Sequence, residues 1–167
     1  LLSNDIYHTR INSVYTRSSV SYRDYLFLEG SLRNDWSSTL PASNRSYPYG
    51  SLGLSAIVTE IIKLPETISY LKANISIAQV GNGTDAYQLY TSYYLDVVNG
   101  INTITRNSTM ATSDYKPEIT TSYEGNIDAR FLKNRVGSEI SVYKTTSVNQ
   151  IILINLPVAS GFYNQRI

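Results

Sequence analysis

The chain has no cysteine and one histidine, His8. The first absence excludes disulfide frameworks, thiolate metal sites and thiol nucleophiles. The second excludes triads or metal centres built on several imidazoles. Charge is scarce as well: Asp, Glu, Lys and Arg make up 16% of the 167 residues, against roughly 25% in an ordinary soluble protein. The 14 basic side chains nearly cancel the 13 acidic ones, leaving +1, whereas a partner that binds nucleic acid or anionic membrane by charge is strongly basic. Continuous apolar runs are also missing; Ile151–Ile154 is among the longest, so no membrane span is expected. The acidic residues are scattered singly, with no spacing that marks a carboxylate pair. No Gly-rich stretch is followed by the Lys-Ser/Thr of a phosphate loop. The expectation is a non-enzyme without metal, cofactor or nucleic-acid partner.

Ser, Thr, Asn and Tyr take the place of charge, and the 15 tyrosines stand against three phenylalanines and one tryptophan. A chain that begins with Leu reads as a processed product or an excised fragment, and a mature secreted protein fits. Asn44, Asn74, Asn82 and Asn107 each open an Asn-x-Ser/Thr sequon, and Asn82 and Asn107 fall in turn-like, polar stretches.

The hydrophobic period is two almost throughout. Val20, Tyr22, Leu26 and Leu28 alternate with Ser21, Arg23, Phe27 and Glu29, and Tyr87, Leu89, Tyr93, Leu95 and Val97 share one side of 86–98. Residues 70–80 form a further strand. Asn99-Gly100 between two β-rich runs predicts a two-residue hairpin turn. Gly81-Asn82-Gly83-Thr84, Glu124-Gly125-Asn126 and Val136-Gly137-Ser138 predict three more reversals. Residues 52–64 and 150–156 are apolar on both sides, which suits strands covered on both faces; a short helix is the alternative for the first. The prediction is an all-β fold, an antiparallel β-sandwich of jelly-roll or Ig-like type with about nine or ten strands. Residues 1–19 read as an amino-terminal arm or donor strand, 20–156 as the sandwich and 157–167 as a carboxy-terminal arm.

Two surfaces are candidates for function. Residues 34–50 carry Trp36, Tyr47 and Tyr49 without alternation and read as a long irregular loop, able to stack on sugar rings or a receptor. The arm offers Ile6, Tyr7, Ile11, Val14 and Tyr15 as an inter-subunit strand, and residues 148–156, uncharged and β-prone, read as a strand that wants neighbours on both sides. In its few charges, its abundance of Tyr, Ser, Thr and Asn, its sequons and its lack of cysteine, the chain resembles secreted archaeal surface-filament subunits. That resemblance is one of composition over the whole chain. It implies an extracellular structural subunit whose partners are copies of itself, joined by strand addition at the cell surface. A viral capsid or spike domain at the virion surface, and an adhesion module for surface glycans, are the alternatives.

Overall fold

The computed structural model describes Ile6 and residues 8–167. In chain order the elements are β1 (Ile11–Tyr22), β2 (Leu26–Ser37), β3 (Ser46–Ile57), the single helical turn α1 (Val58–Ile61), β4 (Ile68–Asn82), β5 (Tyr93–Val98), β6 (Ile101–Arg106), β7 (Thr109–Met110), β8 (Glu118–Phe131), β9 (Val136–Val148), β10 (Leu153–Asn155), a 3-10 turn at Val158–Ser160 and β11 (Asn164–Arg166). The expected all-β fold of antiparallel sheets is what forms, with 61% of the chain in strands. Among the described residues eleven strands divide among three sheets: a six-stranded sheet in the order β1-β2-β3-β4-β8-β9, a three-stranded β10-β11-β7 in which β7 runs parallel to β11, and the β5-β6 hairpin. All five ladders of the large sheet are antiparallel, and each strand pairs with the next once 83–117 is set aside.

The connections alternate between the two ends of the large sheet. At one end, called here the near end, the strands are joined through 23–25, 58–67 and 132–135; at the far end lie 38–45, the excursion 83–117 and the segment after β9. Arg23 and Asp24 both take positive φ, as do Leu132, Lys133 and Asn134. Left-handed residues give a reversal whose twist matches that of the paired strands. The same geometry closes β5 onto β6, where Asn99 (φ 51°) and Gly100 (φ 79°) form the turn expected from that dipeptide.

Buried side chains collect at the far end. Leu40, Tyr47 and Tyr115 form a small cluster, flanked by Tyr49, Leu89 and Ile151. Asn44 fastens the 38–45 loop to the excursion by donating to Asp114 Oδ1 (3.2 Å) and to the Tyr115 carbonyl (2.9 Å). Along its middle the large sheet is uncovered: Leu32, Ile75 and Val142 are 68%, 64% and 70% exposed.

Several expectations change at this level. Residues 11–19 are no loose arm, because β1 pairs with β2 over its whole length, from Ile11↔Ser37 to Tyr22↔Leu26. Tyr7 and residues 1–5 lie outside the described residues. The 157–167 segment is likewise held, since β11 pairs with both β10 and β7. Residues 34–50 are mostly strand, and only 38–45 connect. Pro48 is tolerated because the β3–β4 ladder stops at Ser51, so no neighbour on that side needs its missing N–H. Gly125 and Gly137 sit inside paired strands (Gly125↔Val142, Arg130↔Gly137), and the reversal falls at 132–135 instead. The 52–64 run splits into the end of β3 and α1, while of 86–98 only Tyr93–Val98 is strand. Residues 148–156 yield just the three-residue β10, bonded on one side.

Candidate functional site

Antiparallel register places directly paired residues on the same side of a sheet, and the next residue along each strand on the other. Following the ladders across all six strands therefore separates two faces. The row Val20, Leu28, Leu54, Ile75, Gly125 and Val142 crosses one of them, and the rows beside it carry Leu26, Ala56, Ala73, Ile127 and Ile140, and Leu52, Ile77, Tyr123 and Lys144. Tyr22 and Phe131 lie at the near end of this face and Trp36 at its far end. Lys144 is the one side chain on it that carries a formal charge, as the same registers show.

The opposite face has the chemistry of a wetted surface. Its rows carry Arg17, Glu29, Lys72, Asp128 and Glu139, interleaved with serine, threonine and asparagine. Cross-strand hydrogen bonds tie it together: Arg17 Nη2 donates to Glu29 Oε2 at 3.1 Å, Ser31 and Ser51 hydroxyls meet at 2.7 Å, and Asn126 Nδ2 donates to Glu139 Oε1 at 2.8 Å and Ser141 Oγ at 2.7 Å. Exposed pairs of this kind contribute up to about 1 kcal/mol each. Their value here is in keeping polar side chains upright on one side.

The far end of the polar face is more tightly built. Asp35, 4% exposed, accepts from Arg33 Nε at 2.7 Å and from the Tyr49 hydroxyl at 2.8 Å. Tyr49 stacks on Tyr47 with centroids 6.1 Å apart. Both rings crowd Gly81, where a Cβ would come within 2.7 Å of the Tyr47 ring, so only glycine fits. Burial raises the pKa of Tyr115, in the loop above, keeping its hydroxyl neutral.

This geometry decides what becomes of the sequence candidates. Trp36 follows Asp35 directly, so it projects from the face opposite Tyr49 and its stacked partner Tyr47. The three aromatics are not brought together, and Tyr47, 4% exposed, has no free ring face to offer a sugar. Ile11, Val14 and Tyr15 stand exposed on β1, with Val14 on the side opposite Ile11 and Tyr15; Ile6 is exposed ahead of the strand, and Tyr7 is outside the described residues. Asn74 lies within β4, Asn82 ends it exposed, and Asn44 is held as described above. Asn107 Nδ2 donates to Ser92 Oγ (3.2 Å) and the Tyr94 hydroxyl (3.3 Å). Among the described residues no group of three or more acidic or histidine side chains could hold a metal, and no helix is long and apolar enough to cross a membrane. What sequence reasoning missed is the two-faced sheet itself. Its signal was the same alternation, had it been carried across strands as well as along them.

No protein-family model matches the chain, and no curated protein matches it in sequence. Solved structures do. A chain in the structure of the RagAB peptide transporter superposes with a TM-score of 0.82 at 22% identity, over 95% of this chain and 18% of that one. In the closed-closed state of the RagAB peptide importer the values are 0.82, 22%, 93% and 18%, and in the open-open state 0.76, 22%, 95% and 18%. At that identity the likeness is one of fold, and the chain spans under a fifth of the length of the chains it resembles.

Proposed function

We propose that the six-stranded sheet is part of the wall of a transmembrane β-barrel, with the Ile75 face toward lipid and the Glu29 face toward a water-filled interior. The observation that carries this reading is the segregation of charge: Lys144 alone on one face, many ions on the other, in strands whose apolar side chains stand exposed. In water such a face is an aggregation hazard. In a bilayer it is what a barrel strand requires, since each strand alternates apolar-out with polar-in. The absence of continuous apolar runs carries no weight against it, because a strand crosses with every second residue. Strands of 12 to 15 residues in the large sheet exceed the 9–11 or so needed to span. The tight reversals at 23–25 and 132–135 at one end and the long 83–117 excursion at the other fit the same architecture.

Among the described residues both edges, β1 and β9, are open. No sheet edge is left unpaired in hydrocarbon, and barrels close with eight strands or more. The missing strands are therefore assigned to the same polypeptide, which agrees with the 18% share of the structures it resembles. By that likeness the passage served would be that of peptides, and the role is non-catalytic. The filament reading uses the same open edges for strand addition between copies, but it leaves the Ile75 face in water. Reconstitution separates the two: the complete polypeptide, folded into lipid vesicles, is expected to resist protease along β1–β4 and β8–β9 and to be cut within 83–117. Cleavage throughout the strands, or filaments formed without lipid, would overturn the barrel reading.

A further inference from the structure

The lipid-side face is not uniform. Gly125 leaves a gap between Ile75 and Val142 in the central row, and a Cβ placed there would meet nothing within 4 Å. The gap opens a shallow apolar groove lined by Leu52, Leu54, Ile75, Ile77, Tyr123 and Val142, and Lys144 lies at its border. Lys144 is paired in register with Tyr123, so the two side chains leave the sheet from neighbouring positions on the same face. One row further toward the far end the face turns polar, with Thr146, Thr121 and Gln79, whose amide donates to Thr121 Oγ1 at 3.1 Å. Among the described residues no carboxylate pairs with Lys144. Glu124 and Tyr143, the next pair along that ladder, also border the groove, while the register directs their side chains to the other face.

An unpaired ammonium at the polar end of an apolar groove matches a ligand with an anionic head and hydrocarbon tails. We propose that this groove is a binding site for an anionic phospholipid: the phosphate sits at Lys144 with hydrogen bonds from Tyr123 and Thr146, and an acyl chain fills the space over Gly125. The proposal rests on the barrel-wall reading and adds a specific lipid to it. It also sets the depth of the sheet, because a lysine near a bilayer surface extends its ammonium to the headgroups.

The test uses the complete polypeptide folded into vesicles holding equal amounts of phosphatidylglycerol and phosphatidylcholine, extracted in mild detergent, with retained lipids counted by native mass spectrometry. Wild type is expected to keep phosphatidylglycerol several-fold over phosphatidylcholine. Lys144→Gln should insert equally well and lose that excess, Lys144→Arg should keep it, and Gly125→Leu should lower retention by filling the gap. Equal retention of the two lipids by wild type, or an excess untouched by Lys144→Gln, would overturn the proposal. Failure to insert into vesicles at all would overturn the barrel-wall reading, and the lipid site with it.

Discussion

Arginine at Ile75 puts the environment of the apolar face to a quantitative test. Ile75 sits midway along β4, between Leu54 of β3 and Gly125 of β8, with 64% of its surface exposed. If that surface met water, the change would be an ordinary surface substitution, worth within about 0.5 kcal/mol. Facing hydrocarbon, an arginine costs about 2–4 kcal/mol at the bilayer midplane and less toward the headgroups, so one row from Lys144 a cost of about 1–3 kcal/mol is expected, which raises the unfolded fraction roughly 5- to 140-fold at 1.4 kcal/mol per factor of ten. The adjacent Asn74, which points to the polar face between Ser55 and Asn126, is the internal control. Asn74→Arg should change stability by under about 1 kcal/mol, because a side chain toward the interior stays hydrated. The assay is urea unfolding of the vesicle-folded polypeptide, followed by the loss of the far-ultraviolet sheet signal. Equal stabilities for Ile75→Arg and Asn74→Arg would refute the assignment of faces.

Other consequences follow from local geometry. Gly50→Ala should destabilise the sheet by about 1–3 kcal/mol in denaturant titration, because the added Cβ collides with the Ser31 carbonyl; Gly125→Ala, with open space around it, should stay within about 0.5 kcal/mol. Gly100→Val places a β-branched residue at φ 79° and should cost about 1–2 kcal/mol. Hydrogen exchange would show it as faster exchange in β5 and β6 alone, with the six-stranded sheet unchanged. Tyr47→Ala removes a ring packed against Leu40 and Tyr115 and should cost about 3–5 kcal/mol of stability, whereas Trp36→Ala, at a partly exposed rim position, should cost far less by the same titration.

Much of the fold was legible along the chain. The alternation from Val20 to Glu29 marks the β1–β2 hairpin, the 70–80 run marks β4, and Asn99-Gly100 closes a hairpin because two left-handed residues are needed there. Glycine misled where its role was different. Gly125 and Gly137 lie in strands and omit a side chain rather than reverse the backbone, while the true reversal at 132–135 uses Leu132, Lys133 and Asn134 at positive φ, which composition does not advertise. The Trp36–Tyr49 region looked irregular because its aromatics alternate with polar side chains that are themselves buried, Asp35 and Ser37 among them. Pairing of β4 with β8 spans the 83–117 excursion, and no local pattern encodes so distant a partner. The two-sided character of the sheet was hidden for a related reason. An alternating strand looks the same along the chain whatever its apolar side meets, and that Leu32, Ile75 and Val142 stand exposed is visible only once the strands are assembled.

These 167 residues contain no cysteine, so once any cysteine elsewhere in the complete polypeptide is replaced by serine, single cysteines introduced one at a time from Leu71 to Ala78 can each carry a nitroxide spin label. Collision with oxygen, which concentrates in hydrocarbon, is then compared with collision with a water-soluble nickel chelate. For the vesicle-folded polypeptide the account predicts strict alternation: oxygen dominates at 71, 73, 75 and 77, and nickel at 72, 74, 76 and 78. Equal nickel access at both sets of positions would contradict it.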